Sequence, residues 1–232
     1  MADPKIINFS GYEWEVRPSG RGGPRDNYWS DDNVWLDDAG LHLKITHDQA
    51  EGKWYCSEIY TTTSLGFGQY QFFVDAPVDR FHPYIVLGLF NYPSITTGED
   101  GLNEIDIELT KWGKAAKESS NGHYTIYPSD PALIGTSAGG NYSFSLDGTY
   151  TTHRFNWNSD EVAFQSLNGH RQDDNNQIAA FTLNLSRDRI PQKALPVHIN
   201  LWICKDGDRP IPDNLQEVEV IIKAFQYTPS ST

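Results

Sequence analysis

The chain has 232 residues, with 18 Lys+Arg against 31 Asp+Glu and a formal net charge of −13. That balance argues against nucleic acid or an anionic membrane as partner, since both call for a basic face. No apolar run approaches the roughly 20 residues of a membrane span. Aromatic residues make up 13% of the chain, too many for a disordered polymer, so a folded domain is expected; a neutral or a cationic partner stays open, and carbohydrate fits the neutral, aromatic-rich reading best.

Period-2 patterning dominates. Leu41, Leu43 and Ile45 alternate with His42, Lys44 and Thr46, which predicts a strand with one wet face. Similar runs follow at Trp54–Thr61, Gly68–Val74, Tyr84–Phe90, Asn103–Leu109, His123–Tyr127, Thr152–Trp157, Glu161–Leu167, Val197–Ile203 and Gln216–Tyr227. Turn chemistry separates many of them: Asp38-Ala39-Gly40, Asp147-Gly148, Asn168-Gly169 as a tight turn, and Asp206-Gly207-Asp208. Ten or more strands without a clear helix predict one large antiparallel sandwich. Pro18–Arg25 and Pro93–Asp100 are too short to mark a domain boundary, so residues 1–232 form one domain, with loose ends near 1–8 and 228–232.

Cys56 and Cys204 lie far apart, without a CxxC or His at zinc spacing. Either they close one long-loop disulfide or they stay thiols. Residues 1–20 hold no apolar leader core.

The stretch Asn103-Glu104-Ile105-Asp106-Ile107-Glu108-Leu109 carries the chemistry. On a strand, Glu104, Asp106 and Glu108 share one face at roughly 6.6 Å per two-residue step, while Ile105, Ile107 and Leu109 pack on the other. Three stacked carboxylates repel, so the pattern needs a reason. Retaining glycoside hydrolysis supplies one: an ionised nucleophile and a protonated acid about 5–5.5 Å apart. A central Asp that shares a proton with its neighbour helps keep the second carboxyl protonated. A solvated acidic strand and a calcium site are the bland alternatives, although calcium loops draw their ligands from turns. Trp29, Trp35, Tyr60, Tyr92, Trp112 and Trp202 sit in polar surroundings where sugar-stacking platforms are expected.

Glu104-Ile105-Asp106-Ile107-Glu108 resembles the signature of glycoside hydrolase family 16, which contains lichenases, laminarinases and xyloglucan transferases. Cys56-Ser57-Glu58-Ile59-Tyr60 with Gly66-Phe67-Gly68-Gln69-Tyr70, Thr152–Trp157, and Asn200-Leu201-Trp202 resemble further family segments. The resemblance runs from about residue 12 to residue 227. It implies a concanavalin A-like jelly roll with a concave substrate cleft.

It also implies roles. Glu104 would be the nucleophile, Glu108 the acid and then base, and Asp106 the residue tuning them. Glu58 would bind sugar hydroxyls, and Asn33 resembles a substrate-contacting Asn. Tyr60, Tyr92, Trp112, His123, Thr125, Tyr127 and Trp202 would line the cleft. The signature has no residue inserted between Asp106 and Glu108, as in lichenases and xyloglucan-active members, which tilts the expectation toward β-1,3-1,4-glucan over β-1,3-glucan. Lys223 stands where the family's structural calcium often finds an Asp, so that ion is disfavoured and no cofactor is expected.

The sequence thus leads to a secreted, monomeric retaining endo-β-glucanase with a polysaccharide substrate. The competing readings are a transglycosylase, a hydrolase of another β-linked polysaccharide (xyloglucan or galactan), and a non-catalytic glycan-binding sandwich.

Overall fold

The computed structural model describes residues 3–94, 98–114, 120–205 and 211–230. Two antiparallel sheets stack face to face. The first is concave and runs in the order Ile6–Phe9, Tyr12–Val16, Lys53–Thr61, Val197–Ile203, Ile85–Asn91, Glu104–Leu109, Gly122–Tyr127, Ala138–Tyr142. The second runs Val34–Asp37, Gly40–Asp48, Val218–Pro229, Gly68–Asp75, Tyr150–Trp157, Glu161–Asn168, Gln177–Asn184. A short ribbon, Gly20–Gly22 with Asn27–Trp29, joins the concave sheet through parallel pairing of Trp29 with Cys56. The far end of Gly40–Asp48 pairs with Lys53–Tyr55 and links the two sheets into a nearly closed jelly roll. Among the described residues the helical elements are 3-10 turns alone.

The alternation explains the stacking. Leu87, Leu89, Ile105, Ile107, Leu109, Ile199 and Leu201 project from the concave sheet into the interior. They meet Leu41, Leu43, Tyr70, Phe72, Phe155, Trp157, Ile222 and Phe225 from the second sheet in one core cluster. Strands half apolar by alternation must bury one face, and two sheets facing each other satisfy both.

Every strand expected from periodicity is present, with ends shifted by one or two residues. The expected loose ends are corrected at residues 6–8 and 228–229, while residues 1–2 and 231–232 lie outside the described residues. Ile6–Phe9 is a paired strand whose Ile7 and Phe9 are buried, and the last strand continues to Pro229. Asp38-Ala39 forms the hairpin turn, with Asp37 paired to Gly40. Gly40 has φ 137°, and a Cβ there would lie 2.7 Å from the Ile222 carbonyl oxygen, so glycine is needed. Asn168-Gly169 does not make a tight hairpin: the partner strand begins only at Gln177, and a bulge falls between Ser166 and Leu167. Asp206-Gly207-Asp208 lies outside the described residues. Cys56 and Cys204 are buried thiols with no disulfide between them, and burial pushes the Cys56 thiol up to about 12.

Candidate active site

Cross-strand register builds the site floor. Glu108 lies opposite His123 on one side and Gly88 on the other; Gly88 lies opposite Asn200, and Asn200 opposite Glu58. The next row along the strands is Thr125, Asp106, Phe90, His198 and Tyr60, and Tyr127 faces Glu104 in the third. Five strands distant in sequence thus contribute to two parallel rows running across the sheet, at roughly 4.8 Å per strand. Above them opens a cleft of about 570 Å³.

The acidic strand is regular. Neither of its pairings shifts register between Glu104 and Leu109. Residues with left-handed backbone bound it on both sides, Asn103 at φ 54° and Trp112 at φ 51°. Asn accepts that conformation readily, but for Trp it is costly and must be held by its surroundings. The Trp112 amide donates to Thr110 Oγ1 (3.1 Å), and its ring meets Trp202 edge-on at 5.9 Å and His123 at 6.0 Å. The strained turn thereby sets an indole at the cleft wall.

Electrostatics distinguish the three acids. Burial is the first cause raising each of them. Glu104 is pushed up to about 7, with the Asp106 hydrogen bond opposing that rise and the charges of Asp100 and Glu58 adding to it. Asp106 is raised well above the ordinary range by burial, then by the charges of Glu104 and Glu108, and its hydrogen bond to Glu104 favours the protonated form. Glu108 is pushed up to about 8, with burial and the charge of Glu104 both acting upward. The hydrogen bond between them thus favours protonated Asp106 and ionised Glu104, whereas burial and the charge of Glu104 both favour the protonated form of Glu108.

Glu58 is a buried carboxylate of the opposite kind. Arg17 Nη1 meets its Oε2 at 2.7 Å and His198 Nδ1 meets its Oε1 at 3.0 Å. Burial would raise it, but His198 first and Arg17 second outweigh that penalty and hold it below the usual carboxylate range.

Of the residues expected at the site, Glu58, Tyr92, Glu104, Asp106, Glu108, Trp112, Tyr127 and Trp202 line the cleft. Tyr60, His123 and Thr125 share that face of the sheet without lining the cleft. Tyr60 donates to Glu15 (2.7 Å), and the His123 ring is engaged with Asn141 and the Thr110 carbonyl. Asn33 is placed elsewhere: its amide donates to Thr46 Oγ1 (3.0 Å) and to the Tyr55 carbonyl (2.9 Å), tying the turn before Val34 to the strands behind it. Trp29 is fully buried beneath the Arg17 guanidinium, 3.9 Å from its ring centroid, and Trp35 stacks on His42 on the second sheet. Neither is a cleft platform.

Sequence reading missed Arg17, Arg25, Phe90, Asp100 and Asn200 as cleft residues. Asn200 shares the phase of Trp202 on one strand, a signal that was open to use. Arg17 and Asp100 lie in irregular segments that periodicity does not reach. Among the described residues no three His, Cys, Asp or Glu side chains converge as a metal-holding group.

No family model matches the chain, and no curated protein matches it in sequence. Solved structures do. A Bacillus licheniformis beta-glucanase superposes with a TM-score of 0.71 over 99% of both chains at 20% identity. A glycoside hydrolase family 16 endo-glucanase from Bacteroides ovatus gives 0.70 at 16% identity, over 93% of this chain and 94% of that one. A laminarinase from Flavobacterium sp. UMI-01 gives 0.66 at 15% identity over 92% of each. The chain shares the fold and topology of family 16 glucanases.

Proposed function

We propose that the protein belongs to glycoside hydrolase family 16 and is a retaining endo-β-glucanase that cleaves β-1,3-1,4-linked glucan. The observation that carries this reading is the division of labour on one strand face, where Asp106 donates a hydrogen bond to Glu104 while Glu108 is pushed up to about 8. In the first step the Glu104 carboxylate attacks the anomeric carbon, and Glu108 gives its proton to the departing glycosidic oxygen. In the second, Glu108, now ionised, takes a proton from water as that water displaces Glu104 from the sugar, and both carboxyls return to their starting states. Asp106 stays protonated throughout and donates to Glu104 whenever it is free.

The regular acidic strand supports mixed-linkage over plain β-1,3-linked glucan, because the family resemblance associates an uninterrupted signature with lichenases and xyloglucan-active members. Glu58, fixed as a hydrogen-bond acceptor, suits a sugar hydroxyl, and the Trp112–Trp202 pair offers apolar faces for pyranose rings.

Azide rescue tests the roles. Glu104→Ala should regain turnover of an activated aryl glucoside with azide and yield the α-glycosyl azide. Glu108→Ala should yield the β-azide. Release of reducing ends from lichenan, laminarin and xyloglucan side by side tests the substrate. Full turnover by Glu104→Gln would sink the reading.

A further inference from the structure

The His198 ring is completely buried, yet its Nε2 has no hydrogen-bond partner among the described residues. Among the described residues the ring's one polar contact is Nδ1 to Glu58 Oε1 at 3.0 Å, and a ring nitrogen facing a carboxylate must be the protonated one. The ring is fixed by other aromatics. Tyr60 stacks on one face with centroids 5.2 Å apart, Phe90 on the other at 5.0 Å, and Tyr92 meets its edge at 6.0 Å. An imidazole held this tightly, with one nitrogen left unsatisfied, costs stability unless its remaining contact is needed. An apolar side chain would fill the same slot without that cost.

We infer that His198 is a positioning residue: with Arg17 it clamps the Glu58 carboxylate, one donor to each oxygen, and presents it to substrate as a fixed acceptor. Arg17 stacks on Trp29 and His198 is sandwiched by Tyr60 and Phe90, so neither donor is free to swing away. The groups facing this pair are Arg17 from the segment after the second strand, Tyr60 with Glu15 behind it, Tyr92, and Glu104 from the acidic strand. Arg17 and His198 are the groups among these that favour ionised Glu58. Removing the His198 donor leaves a buried carboxylate with half its support, so Glu58 takes up a proton more readily as pH falls. For its kinetic consequence the inference rests on the proposed glucanase function; for the state of Glu58 it does not.

The test compares His198→Met, which fills the slot without a donor, with His198→Asn, whose amide N–H stands near the place of Nδ1. The Glu58 carboxyl resonance in glutamate-labelled protein, assigned through Glu58→Gln, should stay constant in the wild type from about pH 7 to about pH 5 and titrate within that window in His198→Met. On lichenan, His198→Met should raise KM by about tenfold with kcat within about twofold, and the KM increase should grow as pH falls. His198→Asn should recover most of both effects. A Glu58 resonance that behaves alike in wild type and His198→Met overturns the inference, as does His198→Asn failing as completely as His198→Met. If the wild type cleaves no β-glucan, the proposed function falls, and the resonance alone decides the role of His198.

Discussion

Asp106 donates a hydrogen bond to Glu104, two residues before it on the same strand face, and shares none with Glu108, two residues after it, whose charge acts only to raise Asp106. This asymmetry orders the titration of the site. The proposed mechanism requires Glu104 ionised and Glu108 protonated, so on that proposal kcat/KM should rise as pH climbs through about 7 and fall as it passes about 8. The limbs belong to the coupled trio and not to single residues. Replacing Asp106 with Ala removes the donor that favours ionised Glu104, so the rising limb should move to higher pH. A pH–rate profile of that variant identical to the wild type would contradict the assignment.

The same acids should cost stability. A carboxyl whose folded pKa is raised stabilises the fold fully only below its ordinary value, and that contribution is lost as pH rises toward the folded value. For Glu108 the window runs from 4.5 to about 8. Glu108→Gln has no proton to lose there, so its melting temperature should equal or exceed that of the wild type, with the gap widening from pH 4.5 to about pH 8 and then staying constant. Thermal denaturation across that range checks the sign.

Asn33 provides a contrast between fold and site. Its amide serves Thr46 and the Tyr55 carbonyl, away from the cleft. Asn33→Ala should lower stability by about 1–3 kcal/mol and leave KM on glucan unchanged. A rise in KM at unchanged stability would return Asn33 to the substrate path.

Gly88 faces Glu108 across the sheet, and the Asn200 amide oxygen occupies the space into which a Cβ at position 88 would project. That oxygen is buried without a hydrogen-bond partner among the described residues, so Asn200 is seated by packing at this spot. Gly88→Ala should displace Asn200 from the cleft floor. We expect kcat/KM to fall by about tenfold or more, with a modest stability loss, since only the end of one side chain must move. Kinetics and denaturant titration of the same protein separate the two effects.

Residues whose meaning is local were readable from the chain alone. Alternation in Glu104–Leu109 and in Val197–Ile203 is enough to place the three acids and Trp202 on their faces. The strand Ala138–Tyr142 was not readable, because Ala-Gly-Gly-Asn-Tyr has no apolar alternation. Gly139 is there because the Tyr124 carbonyl leaves no room for a Cβ. Asn33 misled because Asp32-Asn33-Val34-Trp35 resembles a family segment with a substrate-contacting Asn, and a local resemblance does not show that this amide is taken by Thr46 and Tyr55. His198 and Arg17 acquire their roles only through pairing with Glu58 from a third segment, and sequence periodicity carries no information about which strands become neighbours.

The last strand, Val218–Pro229, lies in the middle of the second sheet, between Gly40–Asp48 and Gly68–Asp75. A ribosome making this chain must therefore pass residue 229 before the earlier strands find their central neighbour. Until then two long edges stand open, inviting the wrong partners. Folding dominated by such distant pairings is slow, and a fragment ending before residue 218 is expected to aggregate and not to yield a smaller working domain.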